Sequence, residues 1–167
     1  MMNIANAPSD LPESSQRVAS LLASIRHDQS IVVLPASGKT AAEAAAGLGC
    51  HVAEIAKSIV FRRLTDDAGV MVVASGINRV DVEKVAAIVG PLGKADARFV
   101  REKTGYAIGG VCPIGHPEKT ILLIDQDLLK YTTIWVAAGH PHAVFSLSPQ
   151  QLIAMTHAPV ADVALLS

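Results

Sequence analysis

The sequence predicts a mixed α+β fold built around a mixed β-sheet flanked by helices, and three observations predict it. Short apolar stretches of strand character alternate with segments of helical spacing, turn signals join neighbouring strands into hairpins, and no repeat or coiled-coil heptad runs through the chain. At 167 residues the chain holds one domain with a core of its own and is too short for two.

Val18, Leu21, Leu22 and Ile25 recur at i, i+3, i+4 and i+7, which predicts an amphipathic helix from about Pro12 to His27 with one buried stripe. Ile31 to Leu34 reads as a short buried strand. Thr40 and Glu43 have capping-box spacing, so the alanine-rich run behind them forms a helix that stops at Gly47-Leu48-Gly49. Ile55 to Leu64 and Val70 to Ala74 form a hairpin across the turn Asp66-Asp67-Ala68-Gly69. Val82, Val85, Ala86 and Val89 again have helical spacing, ended by Gly90-Pro91, and Asp96 to Lys103 makes a shorter helix. Strands follow at Thr120 to Ile124, Thr133 to Ala138 and Ala143 to Phe145, with a turn or short helix at Asp127 to Lys130. Ser148 as cap, Pro149 at the first helical position and Gln151 at the third start a helix that runs to about Thr156. Asp162 to Leu165 reads as a last edge strand, and residues 1–10 as a frayed, disordered start ahead of a single domain over 11–167.

Half of the residues are hydrophobic and 17% charged, yet no apolar run reaches the ~18 to 20 residues of a membrane helix. No membrane association is expected. Met1 to Pro8 lacks the basic start and apolar centre of a secretion signal, so the expected location is the cytoplasm. Cys50 and Cys112 stand far apart and in no Cys-x-x-Cys pair, which predicts neither a disulfide nor a structural zinc. No metal and no cofactor are expected. Fourteen basic against fifteen acidic residues leave a net charge of −1, so a nucleic-acid partner would have to be held by a local patch. Arg62, Arg63, Lys94, Arg98, Arg101 and Lys103 could form that patch or a solvated helix face. The few aromatic residues provide no stacking platform for single strands.

Thr104-Gly105-Tyr106-Ala107-Ile108-Gly109-Gly110-Val111-Cys112-Pro113-Ile114-Gly115-His116 packs four glycines and a proline between a charged helix and an apolar strand. Such a run makes either a tight connection or a nest of N–H groups that converges on an oxygen anion. Lys57 lies upstream on a predicted strand whose alternation puts Ile55, Lys57, Ile59 and Phe61 on one face and Ala56, Ser58, Val60 and Arg62 on the other. An ammonium on the more apolar face either snorkels to the edge or meets an anion. His140 and His142 follow a strand, but Pro141 between them and the lack of a carboxylate cluster argue against a metal site.

Thr-Gly-Tyr-x-x-Gly-Gly-x-x-Pro, with a lysine in Ala56-Lys57-Ser58-Ile59-Val60-Phe61-Arg62, resembles the YbaK/ProX family of free-standing relatives of the prolyl-tRNA synthetase editing domain. The resemblance implies a curved, barrel-like sheet with surrounding helices. It further implies a trans-editing aminoacyl-tRNA deacylase that removes cysteine, alanine or a similar small amino acid from tRNA for proline, with a prolyl-tRNA synthetase as candidate partner and no DNA. Lys57 would bind a phosphate or ribose oxygen of the terminal adenosine. The Gly109, Gly110 and Pro113 loop would hold the scissile carbonyl, with Ser58, Tyr106, Val111, Cys112 and His140 around the substrate. Arg62, Arg98, Arg101 and Lys103 would meet tRNA phosphates. Water would attack with the help of a ribose hydroxyl, which fits a sequence without a Ser-His-Asp or Cys-His arrangement. The alternatives are a non-catalytic module that binds tRNA or a synthetase, and a small-molecule hydrolase using Cys112 or His140.

Overall fold

The computed structural model describes residues 3–4, 11–35 and 40–166. In chain order these form β1 (Asn3–Ile4), α1 (Glu13–Ser24), β2 (Val32–Val33), α2 (Ala41–Leu48), β3 (Ala56–Arg63), β4 (Gly69–Ser75), α3 (Val82–Val89), β5 (Leu92–Lys94), α4 (Ala97–Thr104), β6 (Ile121–Asp125), β7 (Ile134–His140), β8 (Ala143–Leu147), α5 (Pro149–Thr156) and β9 (Val160–Ala161). Short 3-10 turns lie at Val52–Glu54 and Gln126–Lys130.

The strands divide into two sheets, ordered β5-β3-β4-β6-β9 and β1-β2-β8-β7. In the first, β4 pairs parallel with β6 and β6 parallel with β9, while β3 pairs antiparallel with β4 and β5. The second is antiparallel throughout. A parallel bridge between Ile55 and Trp135 joins the open edge of β3 to β7, so the curved mixed sheet expected from the resemblance is built as two sheets meeting at one seam. Strand β4 runs through the middle: Met71 and Val73 face the main core with Val18, Ile124, Val136 and Phe145, whereas Val70, Val72 and Ala74 face a second cluster with Val85 and Val163. Burial on both faces explains why this strand reads as a continuous apolar run without alternation.

Local chemistry sets most boundaries as expected. Thr40 Oγ1 accepts from the Glu43 N–H and Gly49 closes α2 in the left-handed conformation, while Ser148 and Gln151 form a full capping box on α5. Three expectations need correction. Helix α1 stops at Ser24, so Ile25 is exposed and only Val18 and Leu22 of the predicted stripe are fully buried. The last strand is Val160–Ala161, held parallel to Ile124 and Asp125, and Asp162 to Leu165 contributes only a bridge from Ala164 to Val80. Strand β5 was not predicted, because three residues containing a glycine carry no alternation; its pairing with Phe61, Arg62 and Arg63 creates it. The expected fraying of residues 1–10 falls outside the described residues except at Asn3–Ile4, which pair with Val32 and Val33.

At the end of β6 the fully buried Asp125 carboxylate accepts hydrogen bonds from the Ser75 N–H at 3.1 Å, the Asn78 side-chain amide at 2.8 Å and the Asp127 N–H at 2.9 Å. One side chain thus ties β4, the turn after it and the 3-10 turn after β6. Replacing a charged acceptor that serves three donors strands all of them, so Asp125→Ala is expected to lower unfolding stability by roughly 3 kcal/mol in chemical denaturation.

Candidate active site

Strand β5 covers β3 only from Phe61 to Arg63, which leaves the first half of β3 with an uncovered edge. The glycine loop after α4 faces that half of β3 across a cavity lined by Ser58, Ile59 and Val60 with Ile108, Gly109 and Val111. Gly109, with φ of +90°, lines two adjoining cavities, and so does Ser58. One cavity, of about 250 Å³, is lined by Lys57, Thr40, Ala41, Trp135 and Pro141 as well. The other, of about 240 Å³, has apolar walls from Ile59, Val60, Ala95, Val100, Ile108 and Val111. The Ser58 hydroxyl between them is buried and has no hydrogen-bond partner among the described residues. A buried hydroxyl without a partner is rare and points to a ligand that supplies one.

The loop is held in place by contacts that its sequence does not announce. A Cβ on Gly110 would lie 2.7 to 2.8 Å from the backbone N, Cα and C of His140, so only glycine lets the loop reach the end of β7. Its N–H is already donated to the Ala107 carbonyl at 3.0 Å. Gly110 therefore serves by close approach and not as a free donor, and Pro113 has no N–H to offer. The N–H groups of Gly109 and Val111, both at the cavities, have no acceptor among the described residues. Ile108, which lines the same apolar cavity, likewise donates to no acceptor among the described residues.

Tyr106 and Cys112 do not line the two cavities. Tyr106 is fully buried, its hydroxyl donates to the Ile114 carbonyl at 2.7 Å, and burial together with the neighbouring Cys112 pushes its pKa up to about 12. It closes the loop on itself and cannot reach a substrate. Cys112 is also fully buried, and burial raises its thiol to about 12. Such a thiol is neither ionised nor accessible, which removes it as a nucleophile. His116, assigned no role from sequence, braces the loop: Nε2 donates to the Cys112 carbonyl at 2.7 Å and Nδ1 accepts from Thr120 Oγ1 at 2.8 Å. Burial lowers its pKa, which favours the neutral ring with its proton on Nε2.

Lys57 shares a face with Ile59 and Phe61 by register, opposite Ala74, Val72 and Val70. The alternation is as predicted, but the main core lies under Ala56 and Val60 on the other face, and Lys57 is half-buried at the rim of its cavity. Burial lowers its pKa, the positive charge of Arg79 lowers it further, and Asp125 opposes both. Sequence reading missed Asp125 and Arg79; the available signal for the first was a carboxylate placed directly after an apolar strand. His140, at the end of β7, accepts the His142 N–H on Nδ1 at 3.1 Å, so the neutral ring carries its proton on Nε2. Burial and then the neighbouring His142 lower its pKa.

The expected phosphate patch is only partly present. Arg62 pairs with Asp67 at 2.8 Å, Arg98 with Glu102 at 2.9 Å and Lys103 with Glu118 at 3.4 Å. Arg101 has no carboxylate partner among the described residues. No group of three or more metal-ligating side chains exists among the described residues, and no described helix is long and apolar enough to cross a membrane.

The aminoacyl-tRNA editing domain family matches residues 35–155, a span that contains Lys57, the glycine loop and His140. The chain belongs to this family. A Bacillus subtilis (strain 168) relative, the uncharacterised protein YwhH, is 32% identical over 117 residues, which covers 70% of this chain and 74% of that protein. Among solved structures, a candidate trans-editing enzyme for prolyl-tRNA synthetase is 42% identical with a TM-score of 0.87 over 93% of this chain and 99% of its own. The hypothetical protein APE2540 is 30% identical with a TM-score of 0.81, over 89% and 99%. The editing-domain chain is accordingly an aminoacyl-tRNA deacylase, and the α+β fold matches that of its structural neighbours.

The loop geometry predicts the behaviour of its residues. Gly110→Ala must push the loop away from His140, with an expected loss of about 1 to 3 kcal/mol in thermal or chemical unfolding. Alkylation followed by mass spectrometry is expected to modify the partly exposed Cys50 first, and Cys112 only once the chain unfolds.

Proposed function

We propose that this editing domain works in trans on tRNA for proline that carries cysteine, alanine or a similar small amino acid. The observation that carries the reading is the meeting of Lys57, Ser58 and Gly109 around two adjoining cavities, one holding a cation and the other nearly all apolar. A small amino-acid side chain suits the apolar cavity, and the terminal adenosine suits the one that holds Lys57. The 42% identical neighbour described for prolyl-tRNA synthetase supports the choice of tRNA, and such a synthetase is the natural partner. Charged tRNA circulates in the cytoplasm, which is where this activity would operate.

In this reading the Lys57 ammonium binds a phosphate or ribose oxygen and fixes the ester against the loop. The free N–H groups of Gly109 and Val111 stabilise the oxyanion that forms when water adds to the carbonyl carbon. The bond from that carbon to the ribose oxygen then breaks, the ribose oxygen takes a proton, and the vicinal ribose hydroxyl relays the proton that water loses. His140 lines the neighbouring cleft and not the two cavities, and its neighbour Pro141 lines the Lys57 cavity, so its Nε2–H would orient the ribose or the amino group from beside that cavity. The protein contributes position and electrostatics, and the substrate contributes the relay.

Hydrolysis of tRNA for proline bearing cysteine, alanine or 2-aminobutyrate tests the reading directly. Lys57→Ala is expected to lower kcat/KM at least ~100-fold, whereas Cys112→Ser, checked for folding, stays within about threefold. Loss of activity in the cysteine variant with the fold intact would favour covalent chemistry instead. Because the charged form of Lys57 is required and its pKa is lowered in the fold, enzyme-dependent rate is expected to fall as pH rises through a value below the ordinary 10.5 of lysine. In Lys57→Arg that alkaline limb should move upward or vanish.

A further inference from the structure

We propose that the cleft between α1 and the glycine loop, lined by Arg17, Arg101 and His140, holds the phosphates of the single-stranded RNA end that leads into the active site. The inference rests on the deacylase reading and adds to it a path for the RNA. The cleft has a volume of about 610 Å³ and is separate from the two cavities at Ser58. Its place is set by chain continuity: His140 lines the cleft, the next residue, Pro141, lines the Lys57 cavity, and Gly110 packs on the His140 backbone between them. An RNA end with its ester over Gly109 would cross this one turn before its preceding phosphates reach the cleft.

Two guanidinium groups meet there from different elements. Arg17 lies 4.5 Å over the Tyr106 ring and donates from Nη2 to the Gly105 carbonyl at 3.2 Å. Stacking and one hydrogen bond hold the group without using its remaining donors, so it is pre-organised for an oxygen anion. Arg101 stands in the last turn of α4 and is exposed. Neither arginine has a carboxylate partner among the described residues, in contrast to Arg62, Arg98 and Lys103, whose charges are already matched. Among the described residues Glu13 is the one carboxylate lining the cleft, and it is exposed on its rim. Support of the α4 carboxyl end explains the bond from Arg17 to Gly105, but beyond the Gly105 carbonyl and the Tyr106 side chain that guanidinium meets no acceptor among the described residues.

An uncharged RNA hairpin with an unpaired 3′ tail, followed by fluorescence anisotropy between 50 and 200 mM salt, tests the proposal without requiring catalysis. Arg17→Gln with Arg101→Gln is expected to weaken binding at least about tenfold at the low end and to flatten the log–log salt dependence by roughly 1 to 1.5, the share of two single-strand phosphates. Lysine at both positions should restore most of the loss, and Arg98→Gln should change little. Arg101→Gln alone, which leaves the Tyr106 stack untouched, should give about half of the change in slope. In the deacylation assay the double variant should raise KM and keep kcat within about twofold. Wild-type affinity and slope in both glutamine variants, or no salt-sensitive RNA binding by the wild type, would overturn the proposal. Arginine-dependent RNA binding by a wild type that hydrolyses no ester would uphold the cleft and defeat the deacylase reading alone.

Discussion

The site depends on one contact that no side chain makes: the glycine loop touches the end of β7 backbone to backbone at Gly110 and His140. The loop follows α4, on the side of β3, whereas His140 closes the second sheet. Their contact therefore brings the loop onto the second sheet, beside Gly109 and Pro141, which line the Lys57 cavity. A methyl group at this position would lie 2.7 to 2.8 Å from the His140 backbone and force the elements apart. Much of the neighbouring sequence serves that approach, including the Tyr106 hydroxyl on Ile114 and the His116 ring on Cys112, which hold the loop closed from inside.

The electrostatics of the site follow from the same seam. Lys57 sits where β3 has lost its strand neighbour, deep enough for burial to weaken its hold on a proton, yet at the rim of a cavity that a solute can enter. Arg79 repels it and Asp125 attracts it, but Asp125 is committed to three donors of its own. The ammonium is thus kept near a carboxylate that cannot neutralise it completely. This arrangement favours an incoming oxygen anion, because the cation has been partly stripped of water without receiving a full partner.

The glycine loop also joins the two surfaces that a charged RNA end would need. On one side Gly109 and Val111 line the apolar cavity; on the other the Tyr106 ring carries the Arg17 guanidinium at the edge of the basic cleft. Tyr106 consequently supports the loop and the Arg17 guanidinium from a fully buried position, lining neither cavity. Cys112 belongs to the same buried support, with a thiol kept neutral by the packing that secures the loop.

Local signals made much of the fold legible. The caps at Thr40, Asp96 and Ser148 and the stop at Gly49 act within a few residues of chain, so the helices that they bound appear in the sequence almost as in the structure. The 3.6-residue spacing of Val82, Val85 and Val89 and the alternation along β3 are likewise local. The lysine and the glycine loop could be singled out because charge on an apolar strand and glycines in series are unusual compositions. Long-range pairing decided the rest. Strands β5 and β9 exist because Phe61 to Arg63 and Ile124 to Asp125 offer them partners, the parallel union of β4 and β6 bridges some fifty residues, and no periodicity encodes either. Only the tertiary structure could turn Gly110 from a donor into a spacer, remove Tyr106 and Cys112 from the cavities, and bring Arg17 to Arg101. Conformation and capping are properties of neighbours in the chain, whereas burial, close approach and shared charge are properties of neighbours in space.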